Sequence, residues 1–518
     1  MAGVHVRVGQ IVCGLLLAFV GVRFGETYIG RLSHHPGYFL VANDDAVAEP
    51  RPSRPRRAVV VVADGLGSRF ARRMRSARRL EAAGQCRITD VGPISVSRPV
   101  YAVISTGLEQ DRTGARNNDE TAPLAVESIW EVAREAGLVV AGVSDVPWWQ
   151  QLFPRGFDRY AARPEEDNYF ATTELGDLTL IHASYIDHAG HAHGAASAVY
   201  AAAVERLDAE LSAFLDELDL TQDLVVLTAD HGHSRSGGHG GRAPEIAEVW
   251  TCFAGRGVAR LGEGSAIHAH AIAGALAVLL GLRFPRHMRA GDDDLDALFE
   301  VAAAGAFAAE YLAGRREAVA RARAINAEAR AGWLGGAGSW IDLYAQERRR
   351  QRLRGAIVGA AVATLFAVAA RRRRLGAAGG LRLAVWCAAV MAAAAVMHVV
   401  WLGSFDWTAI NLRERYLRAA PLVCAIAVAP AIAWSLWREG RARLAGDLLT
   451  LSLLGLAVNV GHVVVFGWPL GFPLPGPAAL LLPFFAAFFT VVHGLLAALA
   501  AGWALWRGRG VVGAAGRG

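Results

Sequence analysis

The sequence predicts an α/β domain whose mostly parallel sheet is sandwiched by helices, followed by an α-helical transmembrane bundle. Between residues 58 and 285, apolar β-branched runs alternate with amphipathic stretches, the pattern of parallel strands covered by helices on both faces. From 355 to 506 the chain is a series of Ala, Leu and Val runs separated by arginine clusters, as in membrane spans. With 53% hydrophobic and 19% charged residues among 518, and a mean hydropathy of +0.29, disorder and a single ordinary soluble domain are excluded.

The basic residues exclude two further classes of function. All 53 of them are arginine, so mechanisms that need a lysine amine, such as a P-loop or a lysine Schiff base, are not available. The net charge of +6 is explained by arginine clusters beside the apolar runs, which are typical of cytoplasmic loop anchors. We therefore assign the basic charge to membrane orientation and expect no nucleic acid as a binding partner.

Residues 1–25 are predicted to be an N-terminal transmembrane anchor or signal. The apolar run from Val8 to Val22 lies between two arginines; it is short for a spanning helix and close to the length of a signal-peptide core. An uncleaved anchor is favoured because no small-x-small cleavage pattern follows the run, and with either alternative the next segment is exported. Residues 26–57 are predicted to be a linker, since the Pro/Arg-rich stretch from Glu49 to Arg57 offers nothing that packs.

Residues 58–290 are predicted to form the α/β domain. Three of its four predicted strands end directly in an acidic residue: Asp64, Asp187 or Asp230. Because ligands bind at the carboxyl ends of strands in such sheets, the three carboxylates are expected to converge at one edge. The predicted strands are Ala58–Ala63, Leu138–Val143, Leu178–Ile186 and Asp223–Ala229, with a helix over Ala198–Leu218.

Histidines are concentrated around two of these aspartates. Seven of the 16 fall between 182 and 239: His191 is four residues after Asp187, His231 is adjacent to Asp230, and His239 lies in a glycine-rich loop. Mixed carboxylate and imidazole ligands suit zinc or manganese. Three aspartates at one edge would repel one another without a cation, so a pair of divalent ions is expected. The remaining four are taken as surface residues or as residues that support the ligands: His182, His188, His193 and His233.

A serine in the segment Ser95-Val96-Ser97-Arg98-Pro99 is a candidate nucleophile, because the segment precedes a predicted helix over 100–106. Its simpler role would be to cap that helix. Beside a metal ion, however, a hydroxyl loses its proton more readily, and a helix N-terminus favours the charge of an incoming phosphoryl group.

Several short motifs occur in a fixed order within 58–285: Asp64-Gly65, Ser97-Arg98-Pro99, Ser105-Thr106-Gly107-Leu108, Asn118, Asp187-x-x-x-His191, Asp230-His231-Gly232 and Gly238-His239-Gly240. Their order and spacing resemble the alkaline phosphatase superfamily, and most of all its type I phosphodiesterase and nucleotide pyrophosphatase branch. That branch includes the glycosylphosphatidylinositol ethanolamine phosphate transferases. The resemblance implies an alkaline-phosphatase-like fold for this domain. The sulfatase motif of that superfamily is not matched.

The resemblance also implies a role for each matching residue. Two ions, expected to be zinc, would be held, one by Asp187, His191 and His239 and the other by Asp64, Ser97, Asp230 and His231. Ser97 would be the nucleophile, and Asn118 would donate a hydrogen bond to a phosphoryl oxygen. The chain departs from the branch in two places: Val100 and Tyr101 replace Gly-His or Asn-His, and Ser97 replaces the Thr of many pyrophosphatases. These changes are expected to affect substrate contacts and to leave the metal ligands untouched.

The rest of the chain is predicted to return to the membrane. Residues 291–354 form a helical connector, 355–506 a five-span transmembrane region and 507–518 a cytoplasmic tail. The spans are expected at 355–370, 383–403, 419–437, 444–467 and 477–505. With an external catalytic domain, the arginines at 371–374, 438–443 and 507–509 lie inside, as the positive-inside rule requires. The cluster at 348–354 then lies outside, where it would bind lipid phosphates.

This order of anchor, external domain and multi-span tail resembles the ethanolamine phosphate transferases. We therefore predict a membrane-bound, metal-dependent enzyme that transfers a phosphoethanolamine-like group from a lipid donor to a lipid or glycan acceptor through a phospho-serine intermediate. The predicted partners are the membrane and a phospholipid or glycolipid substrate. The predicted location is the inner membrane of the cell, multi-pass with an extracytoplasmic domain, or the endoplasmic reticulum with a lumenal domain in a eukaryote.

Two other functions remain open on the sequence alone. The same ligands would serve a phosphodiesterase or nucleotide pyrophosphatase that uses water as the acceptor. A non-enzymatic membrane assembly or transport protein with a degenerate exterior domain is the second alternative. The sequence also leaves open whether Cys86 and Cys252 form a disulfide in an oxidising compartment or remain buried thiols.

Overall fold

The computed structural model describes residues 2–33, 54–118, 121–288, 299–303, 306–335, 377–402, 413–438, 441–466 and 477–515, with single positions at 353, 356, 357, 360 and 408. It divides into two compact units, Ser33–Trp340 and the combination of Met1–Leu32 with Ile341–Gly518. Almost all of the predicted span at 355–370, most of the linker at 26–57, and the arginines at 348–354 and 371–374 lie outside the described residues. The predicted domain boundaries stay predictions.

The unit Ser33–Trp340 contains strands and helices in alternation. Its strands are β1 (Ala58–Ala63), β2 (Gly84–Asp90), β3 (Val140–Ser144), β4 (Arg159–Ala162), β5 (Leu178–Ala183), β6 (Leu224–Thr228), β7 (Glu248–Gly255), β8 (Gly262–Glu263) and β9 (Ile267–His268). With α1 (Ala2–Ser33) in the other unit, its helices are α2 (Ser68–Ala71), α3 (Arg75–Ala83), α4 (Ser97–Thr106), α5 (Gln110–Thr113), α6 (Ile129–Glu135), α7 (Trp148–Leu152), α8 (Tyr169–Thr172), α9 (Tyr185–His193), α10 (Ala198–Asp216), α11 (Pro244–Ala247), α12 (Ala271–Leu280) and α13 (Ala309–Gly335).

All of the strands in the described residues belong to one sheet, in the order β4-β3-β5-β1-β6-β7-β2-β8, with β9 beside β2. The five strands from β4 to β6 are parallel to one another, whereas β7 runs antiparallel to both β6 and β2. Every residue of β1, β5 and β6 is buried, which is why these strands are apolar throughout instead of alternating. The predicted mostly parallel α/β sheet is confirmed.

Two element boundaries differ from the prediction at positions that matter for the site. The third predicted strand ends at Ala183 instead of Ile186, and Tyr185 and Ile186 are buried as the first residues of α9. A short apolar run fits a strand and a buried helical turn equally well, so the sequence pattern did not separate them. Asp187 therefore lies in the first turn of a helix. The helix predicted over 100–106 begins at Ser97.

A disulfide joins Cys86 and Cys252. The two residues face each other directly in the register of β2 and β7, and both are fully buried. The sequence left this pairing open, because neither strand was predicted and their antiparallel register brings together positions that are 166 residues apart.

The second unit is helical. Besides α1 it contains α14 (Ala377–Leu402), α15 (Arg413–Arg438), α16 (Arg441–Phe466) and α17 (Pro477–Ala515). A hydrogen bond from the Ser452 hydroxyl to the Thr490 carbonyl, 2.7 Å long, joins α16 to α17. The backbones of α1 and α17 cross closely at two glycines: a Cβ added to Gly14 would lie 2.5 Å from the Gly494 carbonyl oxygen.

Three helices among the described residues are long and apolar enough to cross a membrane: Val4–Tyr28, Leu444–Val465 and Leu481–Arg507. The first is a 25-residue stretch, longer than the run from Val8 to Val22, because the helix continues through the flanking polar residues. The other two correspond to the fourth and fifth predicted spans. Apolar stretches at Ala388–Leu402 and Tyr416–Ala429 are shorter, so the count of five spans stays a prediction.

Candidate metal centre

The site lies at the carboxyl ends of the three central strands, β5, β1 and β6. Asp64 directly follows β1, Asp230 lies two residues after β6, and Asp187 lies in the first turn of α9. The segments that carry them approach closely only because Gly65 has no side chain: its φ is +78° and an added Cβ would lie 2.7 Å from the Asp187 Cα. The sheet and this glycine together bring the three carboxylates to one edge.

One group of ligand atoms forms around the imidazole of His231. Its Nε2 lies 3.4 Å from Asp64 Oδ1, 3.2 Å from Asp230 Oδ2 and 3.3 Å from Ser97 Oγ. Both of these carboxylate oxygens are buried and have no hydrogen-bond partner. Buried carboxylate oxygens without a donor are costly unless a cation neutralises them. The four atoms are a donor set that fits a divalent ion, so the residues present agree with a metal at this position.

The opposite oxygens of the same carboxylates are held by the protein. Asp64 Oδ2 accepts a hydrogen bond from the Tyr101 hydroxyl, and His182 Nε2 lies 3.1 Å from the same oxygen. Asp230 Oδ1 accepts from the backbone N–H groups of Gly65 and His231, at 3.1 and 2.9 Å. Each carboxylate is thus fixed on its outer side, which leaves its inner oxygen for an ion.

A second group consists of Asp187, His191, His233 and His239, with one ligand atom of each within 4.8 Å of all the others. Asp187 Oδ1 lies 2.7 Å from His233 Nε2 and 3.6 Å from His239 Nε2, and Asp187 Oδ2 lies 3.4 Å from His191 Nε2. His239 Nδ1 is 2.7 Å from the Ser95 carbonyl oxygen, which turns Nε2 inward. The two groups adjoin, because the rings of His231 and His239 stack with centroids 3.5 Å apart.

The structure thus brings together all seven predicted ligands, and it adds His233 to the set. His233 is only 2% exposed, and its ring fits because a Cβ on Gly190 would lie 2.3 Å from it. The signal in the sequence was its position in His231-Gly-His233, on the same loop as two predicted ligands. Of the other three histidines, His182 supports Asp64, while His188 pairs with Glu165 at 2.8 Å and His193 is exposed.

Burial and neighbouring charges set the protonation of the two groups. Burial lowers the pKa of His231 to about 4 and that of His239 well below its ordinary value, so both rings are neutral and able to bind a metal. Burial, together with the nearby carboxylates of Asp64 and Asp187, raises the pKa of Asp230 well above its ordinary value. Burial opposes ionisation of Asp187 also, but the adjacent histidines hold its pKa well below the usual range.

Ser97 is the first residue of α4, and Val96 before it supplies no side-chain cap. The Ser97 hydroxyl is therefore not used as a helix cap, and it lies 3.3 Å from His231 Nε2. Asn118 lies beside the same helix end, where its Oδ1 accepts a hydrogen bond from the Arg98 backbone N–H at 3.0 Å. The start of α4 thus gathers a hydroxyl, an amide and the positive end of a helix dipole.

Tyr101 is one of the residues at which the chain departs from the phosphodiesterase and pyrophosphatase branch, and it contacts a predicted metal ligand instead of only the substrate side. Its hydroxyl bonds to Asp64 and lies 2.7 Å from His182 Nε2, whose ring is held through Nδ1 by the Ser144 hydroxyl at 2.7 Å. Burial and the Asp64 carboxylate raise the pKa of Tyr101 well above its ordinary value, so the phenol stays protonated and donates. The expectation that this change leaves the metal ligands untouched is therefore wrong.

The comparison with protein families agrees with the motifs over part of the chain. Residues 127–240 match the family model for type I phosphodiesterases and nucleotide pyrophosphatases. The matched segment contains Asp187, His191, Asp230, His231 and His239. The resemblance seen in the motifs is thus confirmed over this segment.

The curated proteins similar to this chain include glycosylphosphatidylinositol (GPI) ethanolamine phosphate transferases. The chain is 27% identical over 180 residues to transferase 2 of Candida glabrata, covering 29% of this chain and 21% of the relative. It is 24% identical over 225 residues to the catalytic subunit of human transferase 2, covering 38% and 23%. The match thus spans less than a quarter of the length of either relative.

Solved structures with a similar arrangement include two proteins of low sequence identity. One is murine ectonucleotide pyrophosphatase/phosphodiesterase 5 in complex with AMP, at a TM-score of 0.40 and 13% identity, covering 47% of this chain and 99% of that one. The other is an alkaline phosphatase superfamily protein from Vibrio parahaemolyticus, at 0.36 and 14%, covering 51% and 76%.

Replacing Tyr101 by Phe is expected to weaken metal binding by about 10- to 100-fold, the usual cost of losing a partner that orients a ligand. The ring remains packed on Trp149, with centroids 4.3 Å apart, so the fold should be kept. Competition against a chelator measures the affinity. Tyr311→Phe is the matched control, because this buried phenol of α13 donates to the Val278 carbonyl at 2.8 Å and contacts none of the candidate ligands. Equal metal affinity in wild type and Tyr101→Phe would show that the tyrosine does not position Asp64.

Removing the metal is expected to expose the repulsion among the buried carboxylates. In chelator-treated protein at neutral pH, Asp230→Asn should stabilise the fold by about 1–4 kcal/mol relative to wild type. The raised pKa of Asp230 means that the wild-type carboxyl must take up a proton on folding or stay charged beside Asp64 and Asp187, and Asn avoids both costs while keeping Oδ1 for its two N–H donors. With metal restored, the order should reverse. Thermal melting of both proteins in both states measures this. A chelated Asp230→Asn protein that melts below chelated wild type would contradict the account of the charges.

Proposed function

We propose that this protein is a membrane-bound, metal-dependent enzyme that transfers a phosphoryl group from a phosphodiester through Ser97. One observation carries the proposal: the Ser97 hydroxyl lies 3.3 Å from the ligand nitrogen of His231, among buried carboxylate oxygens that have no other partner. A hydroxyl held there is in the position of a nucleophile, and the two adjoining groups of ligands suit a pair of divalent ions.

The proposed reaction has two displacements. Ser97 Oγ bonds to phosphorus, the bond from phosphorus to the departing alcohol breaks, and the proton of Ser97 is balanced by protonation of that alcohol. An acceptor hydroxyl then displaces Ser97 and releases it as a hydroxyl again. Bound divalent ions, held by Asp64, Ser97, Asp230 and His231 and by Asp187, His191, His233 and His239, would lower the pKa of the hydroxyl and neutralise phosphoryl charge. Asn118, fixed through Oδ1, keeps its amide N–H₂ to donate to a phosphoryl oxygen.

The substrate is proposed to be a lipid phosphodiester with a phosphoethanolamine-like headgroup. Support comes from the ethanolamine phosphate transferases that the chain resembles over part of its length. Further support comes from the helices long and apolar enough to cross a membrane, since a soluble substrate would not require them. The acceptor is proposed to be the hydroxyl of a lipid or glycan, with zinc as the expected ion.

The test is incubation of the purified full-length protein in lipid vesicles with phosphatidylethanolamine labelled in its headgroup and a lipid extract of the source cells. Label in a second lipid or glycan is the expected result. Release of free phosphoethanolamine alone would show that the reaction is hydrolysis and not transfer. Hydrolysis is the alternative favoured by the match of residues 127–240 to the phosphodiesterase family model. No transfer or release of label above that of protein-free vesicles would overturn both and leave a non-enzymatic membrane protein.

The catalytic domain is proposed to lie outside the cytoplasm. The buried disulfide between Cys86 and Cys252 supports this placement, because disulfides persist in oxidising compartments and are rare in the cytosol. The helix at Val4–Tyr28 is long enough to serve as the export anchor. Protease added to intact spheroplasts of a bacterial host is expected to cut within 58–290, and cutting only after lysis would place the domain on the cytoplasmic side.

A further inference from the structure

A cavity of about 340 Å³ lies beside the metal centre, and His233 is the one residue of its lining that the proposed reaction uses. Its walls come from three segments: the loop and short helix after β1, the turn between α9 and α10, and the loop after β6. Backbone hydrogen bonds from Ala195 to Ser234 and from Ala196 to Arg235, at 3.1 and 3.2 Å, hold two of these walls together. The cavity is therefore a built feature of the fold.

The lining of this cavity is rich in positive charge. Arg69, Arg73 and Arg235 contribute to it, against a single acidic residue, Glu245. Within the part of the chain that the structure describes, the guanidinium groups of these three arginines form no ion pair. Neighbouring arginines do have partners, as Arg72 with Glu263 at 2.8 Å. Arginines clustered without acidic partners are typical of sites for phosphate and carboxylate groups.

His233 connects the cavity to the metal centre. It lines the cavity, yet its side chain is buried, and its Nε2 lies 2.7 Å from Asp187 while its Nδ1 has no hydrogen-bond partner. When Nε2 binds a cation, the single proton of a neutral imidazole is on Nδ1, which then needs an acceptor. The cavity, which the His233 side chain lines, is the place proposed for that acceptor. The start of α10, capped by Ser197, also belongs to the lining and adds the positive end of a helix dipole.

We propose that this cavity is a second anion site, which binds a phosphate group through Arg69, Arg73 and Arg235 and through His233 Nδ1. This proposal rests on the proposed function in one respect, since a cation on Nε2 fixes the proton on Nδ1. The group bound is inorganic phosphate or the phosphate of a monoester. In the reaction it would hold a phosphate of the acceptor, since the proposed donor carries only the phosphorus that Ser97 attacks.

The test is calorimetric titration of the zinc-loaded full-length protein in detergent with inorganic phosphate. Wild type is expected to bind two phosphates, one at the metal centre and one in the cavity. Arg69→Gln/Arg73→Gln and Arg235→Gln should each weaken one of the two by about tenfold, the usual effect of losing a charge-assisted hydrogen bond. Arg78→Gln is the control, because Arg78 is an exposed arginine of the neighbouring α3 that does not line the cavity.

Binding that is the same in the arginine variants as in wild type would overturn the cavity site, whatever happens at the metal centre. A single phosphate whose binding depends on the arginines would support the cavity and count against the proposed metal function. Displacement of the bound phosphate identifies its source. Stronger displacement by dihexanoyl phosphatidate indicates a lipid headgroup, whereas stronger displacement by glycerophosphate indicates a soluble monoester. Either displacement is expected only in protein that keeps the three arginines.

Discussion

Ser97→Ala protein is expected to lose phosphoryl transfer by about four orders of magnitude or more in kcat, the size of effect seen when a nucleophile is removed from an enzyme. The substitution takes away one buried hydroxyl at the first residue of α4. No capping bond is lost, because this hydroxyl does not cap the helix. The fold should remain intact, with wild-type melting behaviour. The measurement is turnover of headgroup-labelled phosphatidylethanolamine together with a melting curve.

Two variants sharpen this result. Ser97→Thr keeps a hydroxyl at the same atom and should retain part of the activity. Ser95→Ala removes a neighbouring hydroxyl that donates to the Gly241 carbonyl at 2.7 Å, and it should retain most of the activity because only the Ser95 carbonyl contacts the site. Activity of Ser97→Ala within a few-fold of wild type would mean that the serine is not the nucleophile.

Asp187→Ala is expected to lower kcat by about three orders of magnitude, equivalent to about 4 kcal/mol of transition-state stabilisation. Asp187 is the carboxylate shared by three imidazoles, those of His191, His233 and His239. Without it, the second group of ligands consists of three imidazoles alone, which bind a divalent ion less tightly. The measurement combines turnover with the metal content of the purified variant, which should fall by the ion of that group.

The matched control is Asp216→Ala. This aspartate lies on α10 in an exposed pair with Arg79, 2.8 Å apart, and exposed pairs contribute little to stability. Its removal should change neither the metal content nor the turnover. An Asp187→Ala protein with full activity and full metal content would rule out the second group as a functional centre.

The strand pattern predicts the core of the fold well, because the three central strands are buried on both faces and leave a continuous apolar signal. The first of them is predicted to the residue, from Ala58 to Ala63. The convergence of Asp64 and Asp230 follows from this pattern alone, since both lie just after neighbouring parallel strands. Strands β2 and β7 escape prediction, because their register is set by pairing across more than a hundred residues.

The parts of the site that the sequence did not predict depend on contacts between distant segments. Asp187 lies in the first turn of a helix. The two apolar residues before it fit a strand as well as a helix, so the sequence pattern did not place the helix start. His233 becomes a ligand candidate only because Gly190 leaves space for its ring. Tyr101 was expected to affect substrate contacts, and only the folded structure shows its hydrogen bond to Asp64.

The metal content of the purified full-length protein, measured before and after chelation, decides whether this protein is a metal enzyme. The two groups of ligands predict two divalent ions per chain, loss of phosphoryl transfer when they are removed, and recovery when zinc is returned. Chelated protein that contains no divalent ion and still turns over its substrate at the original rate would contradict the account.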